Sequence, residues 1–154
     1  MRKVSRSALV PYAVSEMYSL AADVESYPEF LPWCSDAEIH SREGETVEAT
    51  LELSKGGIRK KFRTSNTLRE NESIDIELVG GPFSHLSGGW RFEQLGDAGS
   101  KISIDMEFEF KSRSNDFLFG SYLVESCNSL VDAFTRRASE IYGSSPTDAG
   151  SRNE

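Results

Sequence analysis

From about residue 36 to residue 110 the chain alternates apolar and polar positions. Val47, Ala49, Leu51 and Leu53 interleave with Glu48, Thr50 and Glu52, and Ile74, Ile76 and Leu78 with Asp75 and Glu77. Ile102, Ile104, Met106, Phe108 and Phe110 do the same with Ser103, Asp105, Glu107 and Glu109. A period of two sends successive side chains to opposite faces, so these runs predict strands with one apolar and one wet face, as in an antiparallel sheet. Turn residues punctuate them at Glu43-Gly44, Lys55-Gly56-Gly57, Asn71-Glu72, Gly80-Gly81-Pro82 and Gly96-Asp97-Ala98-Gly99. Glycine takes positive φ at little cost and Asn or Asp tolerates it, so each is a plausible hairpin connection. The pattern predicts six meandering strands, and residues 3–9 add a seventh.

The period changes at both ends. Val14, Met17, Tyr18 and Ala21 recur at helical spacing over 14–22, with Ser15 or the preceding turn as the cap. Over 115–142, Phe119, Leu123, Cys127, Leu130, Phe134, Ala138 and Ile141 form one apolar seam, with Gly143 as C-cap and Arg136 and Arg137 at the negative end of the dipole. At 1.5 Å per residue this predicts a single helix of ~40 Å. Such a helix and a one-sided sheet must cover each other's apolar faces. The order of elements is that of an α+β helix-grip fold, in which a curved seven-stranded antiparallel sheet wraps a long C-terminal helix and two short helical pieces close one end of a cavity.

Between the helical pieces and the sheet lies Tyr27-Pro28-Glu29-Phe30-Leu31-Pro32-Trp33-Cys34. Proline fixes φ and biases the residue before it towards extended conformations, which excludes the middle of a long helix. The run reads either as a plug sealing an ordinary core or as a rigid gate at the mouth of a cavity. Trp90 and Phe92 on one strand and Phe108 and Phe110 on the next would form the wall, with Phe117, Phe119, Leu123 and Phe134 from the helix. Singly each is a core residue. Together with Tyr27, Phe30, Leu31 and Trp33 they form a candidate lining for an apolar ligand. The indole N–H of Trp33 or Trp90 and the Tyr27 hydroxyl are candidates for orienting a head group.

Composition narrows the functions. The 154 residues carry a formal net charge of −8, which opposes general affinity for nucleic acid. One stretch departs from this: Lys55, Arg59, Lys60, Lys61 and Arg63 include no acid. Arg59, Lys61 and Arg63 would share the outward face of a strand while Ile58, Phe62 and Thr64 face inward. The stretch is a solvated strand face or, with Lys55, a patch for an anionic partner. No apolar stretch reaches the ~20 residues of a membrane span, and residues 1–10 lack the apolar core of a leader, so a cytoplasmic location is expected. Cys34 and Cys127 stand far apart without metal or redox spacing. His40 and His85 have no Cys or carboxylate at ligand spacing, and no Gly-x-Ser-x-Gly elbow occurs. The pairs Gly56-Gly57, Gly80-Gly81 and Gly88-Gly89 fall in turns or at a strand start, which are poor phosphate cradles. Asp105, Glu107 and Glu109 belong to a wet face and lack the burial a general acid needs. No catalytic site, metal site or required cofactor is expected.

The aromatic run resembles a segment of the coenzyme Q-binding START-domain proteins and of their relatives, the RatA-type ribosome-association toxins, within the polyketide cyclase/dehydrase-like START superfamily. Three further segments are similar to the same family: Gly57-Ile58 leading to Phe62; Gly80-Gly81-Pro82-Phe83 leading to Leu86 and Gly88-Gly89-Trp90-Arg91-Phe92; and Val131-Asp132-Ala133-Phe134 with Arg137-Ala138 and Tyr142. The resemblance covers residues 1–143 as one START-like domain and leaves 144–154 as a disordered tail. Gly81 stands where relatives often carry an acidic residue. The resemblance implies a non-enzymatic domain that binds a polyprenyl quinone such as ubiquinone, or another isoprenoid lipid, and supports respiration. The alternative it implies is a toxin that binds the large ribosomal subunit and blocks subunit joining, with Lys55, Arg59, Lys61 and Arg63 on ribosomal RNA. Peripheral membrane contact is compatible with the first, and a cavity-based cyclase or hydrolase is a third option.

Overall fold

The computed structural model describes residues 1–143; the tail expected at 144–154 lies outside them. Strand β1 (Arg2–Val10) leads into helix α1 (Val14–Ala22) and a 3-10 turn (Val24–Glu29). Six strands follow: β2 (Cys34–Glu43), β3 (Thr46–Lys55), β4 (Ile58–Arg69), β5 (Ser73–Gly80), β6 (Phe83–Leu95) and β7 (Gly99–Phe110). Helices α2 (Arg113–Asn128) and α3 (Leu130–Tyr142) complete the chain. The sheet runs β1-β7-β6-β5-β4-β3-β2, every pair antiparallel. This is the helix-grip arrangement, and the seven strands fall where the alternation places them.

The register explains the two faces. Val47, Ala49, Leu51 and Leu53 of β3 are buried while Glu48, Thr50 and Glu52 point the other way. Ile102, Ile104 and Phe108 of β7 turn inward with them. The seam of Phe119, Leu123, Cys127, Leu130, Phe134 and Ala138 covers this concave face, although Ile141 is exposed and the seam stops a turn early. Arg2 pairs with Asp116 through two contacts of 3.0 Å, tying the edge strand β1 to the first turn of α2. The hydrogen bonds hold the Asp116 carboxyl below its ordinary range and raise the Arg2 guanidinium.

Three local readings are corrected. The C-terminal helix is not one rod but two, separated at Ser129. The Ser126 hydroxyl donates to the Tyr122 carbonyl and the Ser129 hydroxyl to the Ser126 carbonyl, so side chains compete with the backbone ladder at the break. Helix α1 is capped from the preceding turn and not by Ser15: Ala13 is the N-cap, and the Glu16 carboxylate accepts the Ala13 N–H at 3.0 Å. Gly88 and Gly89 lie not at a strand start but inside β6. A Cβ on Gly88 would meet the Asp105 carbonyl oxygen of β7, and one on Gly89 the Ile74 carbonyl oxygen of β5. Only glycine lets both neighbouring backbones come so close, and Gly88 also has φ 149°. The pair supports the tight curvature of a sheet that wraps a helix.

Candidate ligand cavity

Helices α2 and α3 do not fill the concave face completely. A cavity of about 90 Å³ remains beneath them, bounded by α1, the 3-10 turn, strands β3 to β7 and both C-terminal helices. It is smaller than the ~150 Å³ of an apolar cavity that takes up benzene, so a long isoprenoid tail requires surrounding side chains to move outward. The aromatic residues that predict a ligand site from sequence occupy much of the space themselves.

Tyr27, Trp33, Trp90, Phe108 and Leu123 line the cavity, whereas Phe30, Leu31, Phe92 and Phe119 do not. Phe30 packs edge-on against Phe134 at 5.0 Å, and the Arg137 guanidinium lies 5.0 Å over its ring. Arg137 also pairs with Glu29 at 2.7 Å, so α3 clasps the proline-bounded turn from outside. Leu31 is buried in the core at 2% exposure, away from the space. Phe92 stacks on Trp90 and meets Tyr18 edge-on at 5.8 Å, on the α1 side. Phe119 is fully buried against Phe110, behind the wall. Phe117, at 88% exposure, points away from the core altogether. Helical spacing does separate Phe117 from Phe119, since residues 117 and 119 sit about 200° apart on a helix, but it does not tell a residue that borders the space from one packed behind it. Of the aromatic run, Tyr27 and Trp33 border the space, while Phe30 and Leu31 are taken up in packing beside it.

Two polar residues that the sequence reading did not nominate also line the cavity, Thr64 and Asn66 of β4. They are 2% and 6% exposed, and Asn66 Oδ1 has no hydrogen-bond partner. The signal was parity: Phe62, Thr64, Asn66 and Leu68 share the inward face, and polar side chains at two core positions are the anomaly. Trp33 Nε1, at the opposite end of β3, is likewise buried without a partner. The Tyr27 hydroxyl is committed to the Ala21 carbonyl, which removes it as a free orienting group.

The titratable groups on the wall are Tyr27 and Cys127. Burial raises the Tyr27 phenol and pushes the Cys127 thiol up to about 12. Burial also lifts Cys34, beside Trp33, to about 11. All stay protonated near neutrality, so none serves as a thiolate nucleophile or ready base. His85 faces Glu107 of the neighbouring strand β7 at 3.1 Å and Ser87 at 3.2 Å. His40 meets the Thr50 hydroxyl. No cluster of three His, Cys, Asp or Glu suited to a metal ion occurs among the described residues.

The basic stretch forms the tip of the β3–β4 hairpin. Its outward cations interleave with acids: Arg59 lies 3.9 Å from Glu52 and Arg63 3.5 Å from Glu48. Lys55 donates to the Leu118 carbonyl at 3.0 Å and lies over the Tyr122 ring, so it braces the hairpin against α2. Lys61 and Lys60 are exposed and make no ion pair among the described residues. The unpaired positive charge is thus narrower than the sequence run, centred on Lys60 and Lys61 beside the exposed Arg59.

Residues 10–135 match the family model described as polyketide cyclase / dehydrase and lipid transport. The chain is 44% identical over 143 residues to a ribosome association toxin RatA of Vibrio cholerae, covering 93% of this chain and 99% of that one. It is 31% identical over 138 residues to the mitochondrial coenzyme Q-binding protein COQ10 of Dictyostelium discoideum, covering 87% and 67%. A solution structure of an 18 kDa protein from Caulobacter crescentus superposes with a TM-score of 0.74 at 30% identity, covering 94% of this chain and 100% of that one. No helix is long and apolar enough to cross a membrane among the described residues.

Proposed function

The chain belongs to the polyketide cyclase / dehydrase and lipid transport family, and from that premise we propose that it holds an apolar ligand beneath α2 and α3 without transforming it. The observation that carries this reading is the wall itself. It is apolar on nearly every side, and its titratable groups, Tyr27 and Cys127, are held neutral by burial. Affinity then comes from apolar area removed from water at about 25 cal/mol per Å². A polyprenyl quinone suits such a space, and the likeness to a coenzyme Q-binding protein supports it. The tail is accommodated by opening the turn that carries Phe30 and Trp33. Organic extraction of protein purified from quinone-producing cells, followed by mass spectrometry, is expected to release a near-stoichiometric isoprenoid lipid. Protein that yields none and takes up no apolar dye would overturn the reading.

A second reading, association with the large ribosomal subunit, is favoured by the 44% identity to a ribosome association toxin. In this reading the exposed tip of Arg59, Lys60 and Lys61 meets ribosomal RNA. Each phosphate contact steepens the salt dependence of binding. The double variant Arg59→Glu/Lys61→Glu is therefore expected to weaken cosedimentation with large subunits at least tenfold and to flatten its salt dependence. Unchanged cosedimentation in the variant would remove the hairpin from this role.

A further inference from the structure

We propose that Thr64 and Asn66 form a head-group subsite selective for a ligand whose apolar body ends in a hydroxyl. The inference rests on the cavity being a ligand site and names the chemistry that site prefers. Thr64 and Asn66 are two residues apart on one strand, so their side chains leave the same face about 7 Å apart. Both are more than nine-tenths buried, both line the cavity, and their neighbours on the wall include Phe62, Leu68 and Ile76. The carboxamide oxygen of Asn66 is completely enclosed yet has no partner in the protein. A buried acceptor left unpaired carries the full cost of its lost hydration, and an apolar residue at this position would avoid it.

The chemistry of the carboxamide selects the partner. It presents an acceptor oxygen and a donor NH₂, and the Thr64 hydroxyl both donates and accepts. Once the wall moves outward for the tail and uncovers the enclosed Asn66 oxygen, a ligand hydroxyl can donate to it while it accepts from the amide or from Thr64. A ketone, quinone carbonyl or ether can only accept, so it leaves the amide oxygen bare whichever way the amide is turned. The subsite therefore favours an alcohol or phenol, including the reduced quinol form of a quinone, over the carbonyl or ether form. Leaving a buried acceptor unpaired corresponds to about a tenfold loss of affinity.

The test uses two probes with the same isoprenoid chain, farnesol and farnesyl methyl ether, each displacing an apolar dye from the full chain. Wild-type protein is expected to bind the alcohol about tenfold more tightly than the ether. In Asn66→Leu, which replaces the amide by an apolar group of similar size, the preference falls to near unity while the ether binds at least as well as before. Thr64→Val reduces the preference less. Equal binding of the two probes by wild-type protein, as when a trapped water already satisfies the amide, overturns the subsite and leaves the cavity as a ligand site. Failure of both probes to bind overturns the cavity reading as well. Should either variant not fold, the wild-type ratio of the two probes still decides.

Discussion

Phe134→Ala is expected to lower the unfolding free energy by about 3–5 kcal/mol, read from the midpoint of urea unfolding at constant slope. Phe134 is 1% exposed and meets three rings from two elements, Tyr27 at 5.5 Å and Phe30 at 5.0 Å on the proline-bounded turn and Trp90 of β6 at 4.9 Å, all near edge-on. Truncation removes the transfer energy of the ring and leaves a void beside a cavity that already exists, so little can collapse into it. Edge-on aromatic pairs add about 0.5–1.5 kcal/mol each beyond area burial. The same ring joins α3 to the turn of Tyr27 and to β6, so the variant should also take up apolar dye more readily. Phe117→Ala on the exposed face of α2 is the control, with a change within about 0.5 kcal/mol. A loss below about 1 kcal/mol at Phe134 would show that the three elements hold together without it.

Gly89→Val is expected to abolish the native fold, measured as loss of soluble protein with native circular dichroism. The added Cβ would fall on the Ile74 carbonyl oxygen of β5, and no rotamer change moves a backbone atom of a paired strand. The register Asp75↔Gly89 and Ile76↔Gly88 would have to separate, uncovering hydrogen-bonding groups at the centre of the sheet. A cost above about 4 kcal/mol removes much of the 5–15 kcal/mol that a domain has. Gly80→Ala, where nothing lies within 4 Å of the added carbon, should be close to neutral. A folded Gly89→Val protein would mean that the sheet can flatten at β6 without losing its register.

These two positions differ in how readable they are. Phe134 falls on the helical seam, and its burial follows from periodicity. The role of Gly89 follows only from two strands that flank it, one of them 15 residues earlier and the other reaching it through a register with Asp105. Period two and turn residues were enough to place seven strands, because a one-residue slip would carry every apolar side chain into water. Periodicity could not break the C-terminal helix at Ser129, since the interruption leaves the apolar spacing intact.

The candidate site divides in the same way. Which residues face inward was legible from alternation, and so were Trp90, Phe108 and Leu123 as wall residues. Which inward residues border empty space was not, because that depends on how far helix and sheet approach one another. Phe92 and Phe119 have the right parity yet are used up in packing against Phe110, Trp90 and Tyr18. The basic run shows a similar limit: its sequence contains no acid, but Glu48 and Glu52 arrive from the neighbouring strand.

The sequence by itself determined the helix-grip order, the apolar face of each strand, the proline-bounded aromatic turn and the family. These depend on local periodicity, turn chemistry and motifs that survive without knowledge of distant contacts. Only the tertiary structure decided that the cavity is small, that Trp33 lines it while Leu31 is buried away from it, and that Asn66 on its wall has an enclosed oxygen without a partner. Those facts are set by distances between elements far apart in the chain, where a shift of one side-chain layer turns wall into void.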